Sequence, residues 1–259
     1  MEKAEKGSHT DGSATTAHAG ALPIVTISKL TDPRIAMSKP EHHRRDPKKE
    51  DLGQPRQRTR LMAPTKAETA LLPPFQGVAV EHIHVPKSQA DCQAAVQEIL
   101  EAGVGGFDTE AKPTFRKGQK SDGPHVVQFA LTDKAFIFQL HRSECEKAAA
   151  DIIASKRVLK VGFGLKNDHG QIRDRLGISL NHVLDLDQVF RKMGYRGQIG
   201  VRGAMGVLLN QCFKKSKSTT TSNWALPRLS SRQLTYAAND AYAALKIMEA
   251  LQTSGHLES

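Results

Sequence analysis

The chain has 259 residues, 39% of them hydrophobic, which is enough for one sizeable core; a prior of about 150 residues per domain predicts one domain with extensions. Lys and Arg number 37 against 27 Asp and Glu, a net charge of +10 that points to a polyanionic partner without separating nucleic acid from an anionic surface. There is no uncharged apolar run of the ~18 residues a membrane span needs and no apolar core of signal-peptide length near the start. The cysteines Cys92, Cys145 and Cys212 fit neither a disulfide framework nor a Cys-x-x-Cys zinc site, so a soluble, cytoplasmic protein with no membrane partner is expected.

Residues 1–75 are rich in Ser, Thr, Gly, Pro, His and charge, with one apolar island at 22–27 ("LPIVTI"), and are expected to form a disordered basic extension. Its basic run at 39–60 holds eight Lys or Arg against four Asp or Glu, which suits a solubilising tail or a nucleic-acid-binding arm. The adjacent His42 and His43 have no partner at zinc-ligand spacing. A folded domain is expected over 76–259, where the texture changes to alternating apolar segments.

That domain opens with an alternating strand pattern at 78–85 and a helical pattern at 88–102. Three strand candidates follow at 104–111, 125–132 and 134–141, the last two separated by little more than Asp133, as in a hairpin. A helix is predicted at 143–155, a strand at 157–164, a helix at 165–176 and a short strand at 182–186; the remainder reads as mostly helical and ends in a long helix over 230–251. Adjacent strands followed by alternating helix and strand predict an α/β fold, a mixed β-sheet flanked by α-helices.

Three places along this pattern are chemically unusual. In "GFDTEAKPTF" (106–115), Asp108 and Glu110 stand two apart on a strand and project from one face, where like charges are unfavourable; an exposed strand edge would also explain them. In "VGFGLKNDHGQIRDRLG" (161–177), Asp168 shares the inward stripe of a helix with Leu165, Ile172 and Leu176, as a buried ion pair or a cap could also require. In the last helix, Tyr236 and Asp240 lie one turn apart beside a core stripe of Leu234, Ala238, Ala241, Leu245 and Met248, an arrangement that an ordinary surface contact would also give. Together they supply four acids and a tyrosine, a makeup suited to two divalent cations acting on a phosphodiester.

At this point the sequence resembles a known family. "FDTEAKPTF", "VGFGLKND" and "QLTYAANDAYAAL" resemble, in order, the three motifs of the DEDD 3′–5′ exonucleases, the group of ribonuclease D and the Werner-syndrome exonuclease domain, over roughly residues 76–252. With Tyr236 four residues before Asp240, the chain resembles the tyrosine subtype (DEDDy). The resemblance implies a ribonuclease H-like fold with "GGFDTEA" as its central strand, and metal-dependent removal of nucleoside 5′-monophosphates from the free 3′ end of single-stranded DNA or RNA. It also implies Mg²⁺ or Mn²⁺ as the two cations. Asp108, Glu110 and Asp240 would ligate the first, Asp108 would bridge to the second, Asp168 would serve the second, and Tyr236 would orient the attacking water. A catalytically silent nucleic-acid-binding module of the same fold, or an adaptor working through the N-terminal extension, are the competing expectations.

Other residues have plainer readings. Trp224, the only tryptophan, is expected to pack the loop before the last helix rather than stack on a base. The basic residues at 191–202 and in "KKSK" (214–217) suit a phosphate backbone or ordinary surface charge, and Thr109 is a candidate to contact the terminal nucleotide through its backbone. The glycines of "GQIGVRGAMG" lack the spacing of a nucleotide-cofactor motif.

Overall fold

Residues 61–115 and 118–257 are described by a computed structural model. The apolar island at 22–27, the basic run at 39–60 and the pair His42, His43 lie outside them. In chain order the elements are α1 (Lys66–Ala70), β1 (Ile83–His84), α2 (Gln89–Ala102), β2 (Val104–Glu110), β3 (Val126–Ala130), β4 (Ala135–Gln139) and α3 (Ser143–Ala154). They continue with β5 (Leu159–Gly162), α4 (Lys166–Leu176), β6 (Val183–Asp185), α5 (Leu186–Lys192), α6 (Gly200–Leu209), α7 (Lys217–Thr220) and α8 (Ser231–Thr253).

The six strands form one sheet in the order β1-β4-β3-β2-β5-β6. The central meander β2-β3-β4 is antiparallel, whereas β1 joins β4, β5 joins β2 and β6 joins β5 in parallel, so the sheet is mixed. The expected hairpin is β3–β4, both strands fully buried, its turn closed by the Leu131 N–H donating to the Lys134 carbonyl at 2.8 Å. Burial on both faces explains why they read as continuous apolar runs rather than alternation. The strand expected over 78–85 is shorter: a single helical turn at Val80–His82 precedes a two-residue edge strand that Pro86 follows, and proline has no N–H to extend a ladder.

Each sheet face carries its own layer. On one, Phe107, Phe129 and Phe138 pack with Ile99 of α2, Ile152 of α3 and Ile172 of α4; each such side chain, fully buried, contributes roughly 1.5–3 kcal/mol of transfer free energy. In this layer Cys92 and Cys145, distant in sequence, meet with Sγ atoms 3.3 Å apart, longer than the ~2.05 Å of a disulfide, and burial pushes the Cys145 thiol up to about 12. Lys160 of β5 is also buried here; its Nζ donates to the Ser155 carbonyl at 2.6 Å and the Ile152 carbonyl at 3.3 Å, so a cation caps the C-terminus of α3.

The other face is covered by α8, with α5 and α6 beside it. Ala237, Ala238 and Ala241 pack with Val126, Ala130 and Ile137, and Leu245 and Met248 pack with Val161, Phe190 and Met205. Of the stripe expected for α8, Ala238, Ala241, Leu245 and Met248 are buried and Leu234 is partly so. The contact is closest at Gly106 of β2, where a Cβ would run into the backbone carbonyl of Ala241, so only glycine lets the helix backbone lie this close to the strand.

The folded region begins earlier than the expected boundary at 76. Leu61 forms a parallel bridge to Tyr195, Pro74 forms one to Cys212, and α1, closed by a Thr65–Glu68 capping box, packs against α6 with Thr69 buried. Ala63 and Phe75 add to the apolar layer around α6 and α8. These few apolar residues cover a core built by other elements, which is why the segment's own composition predicted disorder.

Replacing Gly106 by alanine is expected to force α8 away from β2 and to destabilise the domain by about 1–3 kcal/mol or more, the range for overpacking a core, as measured by urea unfolding.

Candidate active site

The site is assembled from a strand and a helix. Asp108 and Glu110 leave the face of β2 on which α8 lies, as does Gly106. Because α8 crosses β2 so closely, Asp240 reaches the same spot, and carboxylate oxygens of Asp108, Glu110 and Asp240 all lie within 4.8 Å of one another. Glu110 and Asp240 are buried and Asp108 is half-buried.

Three carboxylates so close repel, and the raised carboxyls of Asp108 and Glu110 carry that repulsion on top of burial. Burial, then repulsion by Asp168 and Asp240, holds the Asp108 carboxyl well above the usual range. Burial, then Asp108 and Asp240, pushes Glu110 up to about 10. Asp240 is raised by burial, partly offset by Lys215, whose Nζ lies 2.9 Å from Asp240 Oδ2. Burial alone would lower the Lys215 ammonium, but Asp240 and Asp108 outweigh it and the net shift is upward. Among the described residues, neither oxygen of Asp240 has a hydrogen-bond partner, Oδ2 meeting Lys215 only as an ion pair, and the side-chain amide of the fully buried Gln128, opposite Asp108 on β3, has none either. A tight set of oxygen donors, mutually repelling and partly unsatisfied, fits hard divalent cations.

Asp168 stands beside this trio rather than in it. It lies in the first turn of α4, half-buried, and accepts a 2.5 Å hydrogen bond from the Thr109 hydroxyl. Burial raises its carboxyl, the Thr109 bond opposes this, and Asp185 adds to the rise. Asp185 in turn fixes the approach to α4: its Oδ1 accepts from the N–H of Gly164 at 3.0 Å and of Asp187 at 3.1 Å. A cavity of about 460 Å³ brings Asp108, Asp168, Asp240 and Lys215 to one wall, with Asn167, Asp187 and Gln198 around them. A larger cavity of about 750 Å³ lies between α2 and α3, away from these acids.

Tyr236 sits one turn before Asp240 on α8, its hydroxyl 2.8 Å from Thr220 Oγ1 and its ring 5.9 Å from that of Trp224. Trp224 is buried, and its Nε1 donates to the Thr220 carbonyl at 3.3 Å, so it packs the loop before α8 as expected. The same loop is held from below by the Gln139 amide donating to the Leu226 carbonyl at 3.1 Å, and from the side by Gln233, which closes the capping box of Ser230 and donates to Ser222 Oγ. The loop thus fixes where the tyrosine ring stands.

Of the five expected site residues, Asp108, Glu110 and Asp240 converge, Asp168 and Tyr236 flank them, and Thr109 turns out to engage Asp168 through its hydroxyl while its N–H meets Asp108 Oδ1 at 2.9 Å. Lys215 was foreseen only as one of four residues in a basic surface run. No local pattern marks it; only the demand of clustered acids for a cation does.

A ribonuclease H-like mixed sheet that presents clustered carboxylates from an interior strand and a covering helix is the architecture of an exonuclease domain. The chain belongs to the 3′–5′ exonuclease family, whose model matches residues 83–255. It is similar to a 3′–5′ exonuclease of Arabidopsis thaliana, 28% identical over 156 residues that cover 59% of this chain and 54% of the relative. It is also similar to the bifunctional 3′–5′ exonuclease/ATP-dependent helicase WRN of Mus musculus, 27% identical over 173 residues, 64% of this chain and 12% of that protein. The chain therefore spans less than two thirds of the length of these curated relatives. Among solved structures, the Aedes aegypti Nibbler EXO domain matches with a TM-score of 0.59 at 22% identity, covering 70% of this chain and 92% of that one. Trypanosoma brucei RNase D in complex with RNA U12 matches with a TM-score of 0.58 at 18% identity, covering 65% of this chain and 62% of that one.

The raised carboxyls give a pH dependence of stability. Glu110 binds its proton more tightly folded than unfolded, so its contribution is full below about pH 4.5 and is lost as pH rises toward about 10. Thermal unfolding in EDTA is expected to show a melting temperature that falls as pH rises between these limits, with a shallower slope in Glu110→Gln.

Proposed function

We infer that this chain is a metal-dependent 3′–5′ exonuclease that hydrolyses the terminal phosphodiester of DNA or RNA and releases nucleoside 5′-monophosphates. The observation that carries this reading is the convergence of Asp108, Glu110 and Asp240 within 4.8 Å of one another. Asp108, Glu110 and Asp240 would hold one divalent cation, Mg²⁺ or Mn²⁺, and Asp108 with Asp168 a second; such cations, when bound, lower the pKa of a water and balance charge on the leaving oxygen. The chain's own groups do the rest. The Tyr236 hydroxyl, kept protonated by burial and by the nearby Asp240, stands ready to orient the attacking water, with Thr220 and Trp224 holding its ring. Exposed Lys214, Lys217 and Arg232 offer phosphate contacts on the same side of the sheet. Membership of a family whose relatives include an RNase D solved with RNA supports a nucleic-acid substrate with a free 3′ end. The buried free thiols suit a reducing cytoplasm.

The direct test incubates 5′-labelled single-stranded DNA and RNA of matched sequence with the full chain in Mg²⁺, Mn²⁺ or EDTA. Stepwise shortening from the 3′ end with metal, and none in EDTA, is expected. Tight, salt-sensitive binding without shortening in either metal would instead make the chain a silent binding module.

Asp108→Asn is expected to abolish shortening and, because it removes one of three repelling carboxylates, to leave the melting temperature in EDTA equal to or above that of the parent chain. Tyr236→Phe is expected to lower turnover on the order of 100-fold with an unchanged unfolding curve.

A further inference from the structure

We propose that Lys215 is a tethered counter-cation that occupies the carboxylate cluster until a divalent cation displaces it, and that it thereby sets how tightly the site binds metal. The inference rests on the proposed metal site.

Four observations carry it. The Lys215 ammonium lies 2.9 Å from Asp240 Oδ2, and while the Asp240 side chain is 3% exposed that of Lys215 is 41% exposed; the charge is inside the site and its stem reaches out to solvent. Lys215 belongs to the irregular segment between α6 and α7, where no helix or strand ladder fixes it, and a lysine stem of four methylenes swings readily. The ammonium also lies 5.8 Å from the centre of the Tyr236 ring, so it adjoins both side chains that α8 brings to the site. Finally, neither oxygen of Asp240 has a hydrogen-bond partner and Lys215 meets only Oδ2, so the ammonium leaves Oδ1 and the carboxyls of Asp108 and Glu110 available to a metal.

Charge and geometry then decide the order of events. The ammonium pairs with one of the three carboxyl groups, so the cluster keeps oxygen donors for a divalent cation. A hard cation takes several carboxylate oxygens at once at short range, which a single ammonium paired with Asp240 does not, so the exchange runs forward. The displaced lysine must nevertheless give up its ion pair, and this lowers the net affinity for metal. A plain structural salt bridge would behave differently: its loss would weaken the site rather than sharpen it.

The test measures Mn²⁺ binding to the full chain without nucleic acid, by calorimetry and by the electron spin resonance of free Mn²⁺. Lys215→Met is expected to bind Mn²⁺ roughly tenfold more tightly than the parent chain and Lys215→Arg within about twofold of it, in the range usual for coupled sites. The melting temperature of Lys215→Met in EDTA is expected to fall and to recover on adding Mn²⁺. Lys215→Gln gives the same comparison if the methionine variant does not fold. Equal or weaker Mn²⁺ binding by the variant overturns the inference and leaves the proposed function standing. Absence of Mn²⁺ binding in parent and variant alike, both folded, overturns the metal site itself.

Discussion

The close passage of α8 over β2 is the constraint on which the rest of the structure depends. Gly106 has no side chain, and the helix presents alanines to the sheet at 237, 238, 241 and 244, so two backbones come nearer than ordinary helix-on-sheet packing allows. The apolar layer around Leu245, Met248 and Phe190 supplies the free energy that holds them there. Asp240 is carried on the same turn as Ala241, and it lands against Asp108 and Glu110 as a geometric consequence. The hydrophobic packing therefore stabilises a contact that electrostatics alone would break.

Around this contact the polar groups fall into two sets. Asp108, Glu110 and Asp240 come from regular elements whose positions are fixed by packing on both sides. Asp168 and Tyr236 also stand on helices and are held by Thr109 and by Thr220 with Trp224, whereas Lys215, outside any helix or strand, is steered by its ion pair.

Much of this was legible in the sequence because the signals were local. Apolar strand runs and helical patterns located β2, the β3–β4 hairpin, α2, α3, α4 and α8, and the spacing of Asp108 with Glu110 and of Tyr236 with Asp240 was enough to put each pair on one face. What escaped depends on contacts between distant segments. Residues 61–75 fold because α6 is there to receive them, and their own composition says nothing of it. Cys92 and Cys145 meet because α2 and α3 are neighbours on one sheet face. Lys215 sits in a run of four basic or hydroxyl residues, and its inward reach follows from the field of acids that other elements bring together. The edge strand β1 was overestimated because an alternating pattern records which side chains are apolar and not whether a neighbouring strand exists to pair with them.

The same crossing of α8 over β2 has a consequence for biosynthesis. The strand half of the acid set lies early in the folded domain and the helix half lies at its end, so a chain emerging from the ribosome displays Asp108 and Glu110 long before Asp240 exists. Until the final helix has been made and docked, the carboxylate trio is incomplete. The two halves of the acid set are therefore joined only when the end of the folded domain docks on its beginning.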